Sequence, residues 1–124
     1  MLGSTSPRML SIGLPVVDSW NVWWSIYDNS VEKFAQVKAE VDAVMPEGRT
    51  VDATAAVLVT LPGGRGRLMG ETYEASVTTV TPDDLGQHIR GLADAGAVHL
   101  QLVLDPITAE SIDTIGEVLA DVDR

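Results

Sequence analysis

Residues 81–106 read TPDDLGQHIRGLADAGAVHLQLVLDP, and they hold a helix start, a helix stop and a strand in direct succession. Thr81 is a capping residue and Pro82 suits the first helical position, where its missing N–H costs nothing. Asp83 and Asp84 complement the positive end of the helix dipole. Leu85, Ile89 and Leu92 form the inner face, and Gly96 supplies the stop. AVHLQLVL then reads as a strand. Its alternation puts Val98, Leu100, Leu102 and Leu104 on one face and His99, Gln101, Val103 and Asp105 on the other. A polar inward row of that kind suits a barrel lumen, while a hydrogen-bonded structural histidine is the plainer reading of His99. Asp105-Pro106 turns the chain, and a final helix runs from about Thr108 with Ile112, Ile115, Leu119 and Val122 along one side.

The same grammar extends toward the N-terminus. Asn29-Ser30 caps a helix in which Val31, Phe34, Val37, Val41 and Val44 recur at spacings of three and four. Met45-Pro46-Glu47-Gly48 ends it. Ala55 to Leu61 reads as a buried strand closed by PGGRGR, and SVTTV before Thr81 has strand-like composition. Nearer the start, Ser6 and Pro7 open a helix over RMLSIGL that stops near Pro15. VVDSWNVWW follows as a short buried strand with its exit loop. Helix and strand alternate throughout, and the strands are continuous in apolar character, which points to parallel α/β packing.

The chain has 124 residues, a net charge of −10 and no cysteine. That length suits one domain, residues 1–124, with a core of its own. The negative charge repels DNA, RNA and anionic membranes, so neither nucleic acid nor a membrane is an expected partner. Disulfides and thiolate chemistry are excluded with cysteine. No apolar run approaches the roughly 20 residues that span a bilayer, and Gly13 and Pro15 break the first apolar stretch. The expected location is cytoplasmic.

Few residues suggest chemistry by themselves. Gly3-Ser4-Thr5-Ser6, leading into a helix, offers backbone N–H groups and three hydroxyls to a phosphate. The plainer reading of the tetrapeptide is an ordinary cap on a surface helix. PGGRGR could hold an anion between Arg65 and Arg67, but as a glycine-rich turn it needs no ligand. His88 and His99 lie in no metal-binding spacing, and His88 falls on the polar side of its helix. Trp20, Trp23 and Trp24 suit an aromatic-binding pocket or core packing alike. GSTSP is not the GxSxG of a nucleophile elbow. No side chain stands out as a catalytic acid or base.

Three stretches together carry a family likeness. SPRMLSIGLPVVDSWN, AAVLVTLPGG and the segment from PDDLGQHIRG to VLADVD resemble successive parts of the bacterial luciferase-like oxidoreductases. The resemblance implies the C-terminal part of a (β/α)8 TIM-type barrel, with about three parallel strands and the barrel incomplete. The chain then starts at the tail of the sixth strand. It further implies that Gly3, Ser4, Thr5, Ser6 and Arg8 meet the phosphate of FMN or of a deazaflavin coenzyme. Trp20 and Asn21 stand at the next strand end, and His99 and Asp105-Pro106 at the terminal strand. Ser4 and Ser6 occupy positions where that family often has glycine. The implied activity is flavin-dependent monooxygenation or deazaflavin-dependent hydride transfer, absent from this portion alone. The implied partners are the coenzyme and either a second copy or a complementary N-terminal half. A non-catalytic half-barrel used for assembly and a generic phosphate-binding α/β module are the alternatives.

Overall fold

A computed structural model describes residues 1–64 and 78–122. The elements are α1 (Pro7–Gly13), β1 (Ser19–Val22), α2 (Trp24–Tyr27), α3 (Val31–Ala43), β2 (Asp52–Thr60), α4 (Pro82–Asp94), β3 (Ala97–Asp105) and α5 (Ala109–Val122). The three strands form one parallel sheet in the order β1-β2-β3. Leu2 adds an isolated parallel bridge outside β1, opposite Trp20. The sheet is open and does not close into a barrel. Parallel strands in sequential order need crossover connections, supplied here through α3 and α4, and the right-handed rule for such crossovers puts both on one face.

Register sorts the side chains cleanly, because paired residues share a face. Trp20 lies opposite Ala53, Val22 opposite Ala55 and Val57 opposite Leu102, which builds an apolar face under the helices. Asn21 lies opposite Thr54, Thr54 opposite His99, and Thr60 opposite Asp105 on the other face. The alternation expected in β3 holds from His99 to Asp105, but Val98, expected on the leucine face, falls outside it and is exposed. One irregularity falls between Ala53 and Thr54, where Val98 is the extra residue on β3.

The core joins Trp20, Trp24, Tyr27, Phe34, Leu85 and Leu92 to the buried run of β2. Tyr27 and Phe34 meet edge to face at 5.8 Å. Helix starts follow the sequence: Ser30 Oγ accepts from Lys33 N–H, and Pro7 and Pro82 open α1 and α4. Thr81 differs from the expected cap, since its hydroxyl donates to the Asp84 carboxylate at 2.7 Å and makes no cap bond to the backbone. Gly96 ends α4's turn at φ 99°.

Several boundaries move. β2 begins at Asp52, three residues before the apolar run that marks it in the sequence. The strand in VVDSWNVWW is only Ser19–Val22, and Trp24 starts a helical turn. Within SVTTV, the described residues contribute one bridge, Val80 to Val59. The expected inner side of α5 is split. Ile115 is buried, but Ile112 and Leu119 are exposed, and Ser111 takes the inward position. At 100° per residue, Ile112 and Leu119 fall on one flank of the Ser111–Ile115 line rather than on it.

β1 is shorter than β2, so its four residues serve only the first half of that strand. Two side chains and the Val80 backbone serve the second half. Tyr27 O–H donates to Ala56 O at 2.8 Å, and Asn29 Nδ2 donates to Leu58 O at 2.7 Å. Leu58 N–H donates to Asn29 Oδ1 at 3.2 Å, and Thr60 N–H to Val80 O at 2.9 Å. Burial demands this, since a strand edge left without partners in a core is costly.

Candidate functional site

Parallel α/β sheets place their ligands at the carboxyl ends of the strands. Here that end is made by the loop Gly3–Ser6 after Leu2, the turn after β1, residues 61–64 after β2, and Pro106–Thr108 after β3.

Leu2 is fixed by two backbone bonds, its N–H donating to Ser19 O and its O accepting from Asn21 N–H, both 2.9 Å. The loop leaves directly from it. Trp20, buried on β1, donates its indole N–H to Ser4 O at 2.8 Å. Ser6 N–H donates to Ser4 Oγ at 3.1 Å and Ser6 O receives Leu10 N–H at 2.9 Å, so α1 grows straight from the loop. The N–H groups of Ser4 and Thr5 make no hydrogen bond with the described residues. An added Cβ at Gly3 would meet nothing within 4 Å, so the space beside that residue is open. Arg8 is exposed one position past Pro7. No residue of the loop has positive φ, so serine at positions 4 and 6 sits there without strain.

Of the predicted site residues, the fold thus joins Gly3, Ser4, Thr5, Ser6, Arg8 and Trp20. Trp20 acts from below as a support. Asn21 turns to the other face of the sheet, where its Oδ1 accepts from Thr54 Oγ1 at 2.7 Å. The tryptophans divide: Trp20 and Trp24 are core, while Trp23 is partly exposed and packs edge-on against Trp24 at 4.3 Å. His99 is exposed on the sheet face of Asn21 and Thr54. Arg65 and Arg67 lie outside the described residues.

A second feature lies at the ends of β2 and β3. A groove of about 720 Å³ is lined by Thr60, Thr81, Asp83, Thr108, Ser111 and Thr114 among others. Its hydroxyls are largely engaged. Ser111 N–H donates to Thr108 Oγ1 at 3.1 Å, the two hydroxyls lie 2.9 Å apart, and Thr114 Oγ1 donates to Glu110 O at 2.9 Å.

His88 departs from the sequence reading. Rather than resting on a polar face, it lines a cavity of about 450 Å³ with Asn29, Thr78 and Asp84, and its Nε2 is buried with no partner among the described residues. Burial holds its pKa below the ordinary histidine value, and the nearby Asp84 carboxylate partly opposes that. Asn29, read in the sequence as part of the α3 cap, instead bonds the β2 edge from a left-handed backbone at φ 53°, and Ser30 alone caps the helix. The signal was Asp28-Asn29 ahead of the Ser30 cap, since these two residue types accept left-handed backbone more readily than others.

Among the described residues, no group of three His, Cys, Asp or Glu side chains could hold a metal ion, and no helix is long and apolar enough to cross a membrane. No protein-family model matches the chain, and no curated protein matches it.

Proposed function

We propose that this chain is the phosphate-anchoring half of a luciferase-like, flavin- or deazaflavin-dependent oxidoreductase barrel. One observation carries the reading. The Gly3–Ser6 loop leaves the carboxyl end of a parallel strand position, is held from below by the Trp20 indole, and presents two open amides beside an exposed arginine. Amides at a strand-to-helix junction suit a phosphate monoester, and Arg8 adds the opposite charge. These residues fit the phosphate end of FMN or of a deazaflavin coenzyme.

When bound, such a coenzyme supplies the hydride or oxygen chemistry. The chain's own part is to hold and orient it. Ser4 and Thr5 donate through their amides, Arg8 neutralises charge, and Trp20 keeps the loop in place. No described side chain near the loop acts as acid or base in this reading, so half a barrel binds without turning over.

The test is thermal unfolding of the chain with FMN and, separately, with the deazaflavin coenzyme. A ligand that binds only the folded state raises the midpoint. An upward shift with one coenzyme, lost in Arg8→Glu, is the expected result. Identical midpoints with and without both coenzymes overturn the reading.

A further inference from the structure

β3 is the terminal strand of the sheet, with β2 on one side and no described strand on the other. Leu61 N–H donates to Asp105 O, so the odd-numbered residues of β3 turn their backbone groups toward β2. Those of Leu100, Leu102 and Leu104 point away from the sheet, and no described group bonds them. The part of β2 that β1 does not reach is treated differently, being closed by Tyr27, Asn29 and Val80. Strand edges are ordinarily guarded by charge, by proline or by a bulge. Residues 97–104, AVHLQLVL, contain no acid, lysine, arginine or proline, and the bulge lies at one end, before His99.

The helix beside this edge is sorted in the same sense. At about 100° per residue, Ile112, Gly116 and Leu119 share one flank of α5. Ile112 and Leu119 are exposed, and an added Cβ at Gly116 would meet nothing within 4 Å. Leu119 lines a groove of about 430 Å³ with Val98, Leu100 and Leu102, so this flank overlooks the free edge, level with the middle of the strand. Glu110, Asp113, Glu117 and Asp121 lie about 140° round the helix from it, turned away from the edge. β3 and this flank of α5 therefore form an uncharged apolar strip on a chain of net charge −10.

Such a strip selects its own copy. A basic partner would find no acid there to pair with. A second copy brings the same outward amides and carbonyls, the same leucines and no opposing charge. We infer that two copies of this chain pair β3 against β3, antiparallel about a two-fold axis, so that their sheets become continuous.

The register follows from the strand itself. The midpoint of Ala97–Asp105 is Gln101, and an axis there pairs β3 along its whole length. Leu100 then exchanges both backbone bonds with Leu102 of the second copy, and Leu102 with Leu100. Paired residues share a face, so the leucines and helices of both copies lie on one side. There the Ile112, Gly116 and Leu119 flanks of the two α5 helices close over the seam, with Gly116 allowing near approach of the backbones. On the other side the two Gln101 side chains stand opposite one another, and His99 lies opposite Val103. This inference stands apart from the coenzyme reading, because it rests on β3 and α5 alone.

Sedimentation equilibrium of the full chain tests it, and the expected species has twice the 13.2 kDa chain mass. Leu119→Asp, at an exposed position, should weaken association about 100-fold, because the two introduced carboxylates meet near the axis. Mixing Leu119→Asp with Leu119→Lys should restore a dimer holding one chain of each. Ile26→Asp, exposed elsewhere, should leave association unchanged. The chain has no cysteine, so single-cysteine variants read the register directly, whatever the Leu119 variants do to folding. Gln101→Cys sets its two copies about 4.5 Å apart between Cα atoms, within disulfide reach, so oxidation should give a covalent dimer. His99→Cys sets them about 13 Å apart along the strands, so it should stay free. A chain still monomeric at about 1 mM, a dimer indifferent to Leu119→Asp, a Gln101→Cys variant that cross-links only to some other protein, or equal cross-linking of the two cysteine variants overturns the inference.

Discussion

The side chain of Asn29 bonds both backbone groups of Leu58, donating to its carbonyl at 2.7 Å and accepting from its N–H at 3.2 Å. It thereby does for β2 what one more residue of β1 would do. Asn29 is fully buried and left-handed in backbone, so its place depends on those bonds and on a third, from Nδ2 to Thr78 O at 3.1 Å.

Asn29→Ala should therefore cost about 3 kcal/mol or more, from two stranded backbone groups and an unfavourable φ. Asn29→Asp keeps the acceptor but loses both donations and buries a charge, and should be no better tolerated. Urea unfolding of both variants at neutral pH checks this. A loss below about 0.5 kcal/mol for Asn29→Ala would sink the edge-closing role.

Tyr27 stands one bond earlier on the same edge. Burial pushes its phenol pKa well above the ordinary value, so the hydroxyl stays protonated and keeps donating to Ala56 O. Tyr27→Phe keeps the ring contact with Phe34 and strands that carbonyl, at a cost of about 1–2 kcal/mol. Chemical denaturation measures it, and an unchanged m-value would show that the denatured state is not the cause.

His88 predicts a pH dependence of stability. Its native pKa lies below the ordinary value of 6.5 because the ring is desolvated. As pH falls, the unfolded chain takes up the proton first, so this residue's contribution is full above that value. It declines as pH drops through it and levels off below the native pKa. Unfolding free energies at pH 7.5 and pH 5 should differ less in His88→Gln than in the parent chain. Equal differences would exclude His88 as the source.

Trp20 links core to loop. Trp20→Phe removes the N–H that holds Ser4 O and should cost about 2 kcal/mol from lost volume and one stranded carbonyl. If the loop grips a phosphate, coenzyme affinity should fall about tenfold as well, equivalent to about 1.4 kcal/mol. Calorimetric titration separates the two effects.

Much of the fold was legible because periodicity and capping are local. Ser30, Pro7, Pro82 and Gly96 punctuate the chain where the sequence says they should, and from His99 onward the alternation in β3 is the observed one. What escaped depends on partners distant in sequence. Nothing near Asn29 reveals that β1 is too short for β2. The inward place of Ser111 and the exposure of Leu119 follow from where α4 meets α5, which no window of α5 contains. At the candidate site the loop was legible and the supporting role of Trp20 was not, because its bond reaches back from Trp20 to Ser4.

Val98, the unmatched residue of β3, has a consequence for folding errors. A run such as AAVLV in β2 offers almost no side-chain distinction between one alignment and the next, and a slip by two positions would keep every leucine on its proper face. The bulge removes that degeneracy. It falls where Ala53 gives way to Thr54, so a shifted pairing of these two parallel strands would carry Val98 away from that break in register. Among the described residues, this one break in register marks the native alignment of β2 with β3.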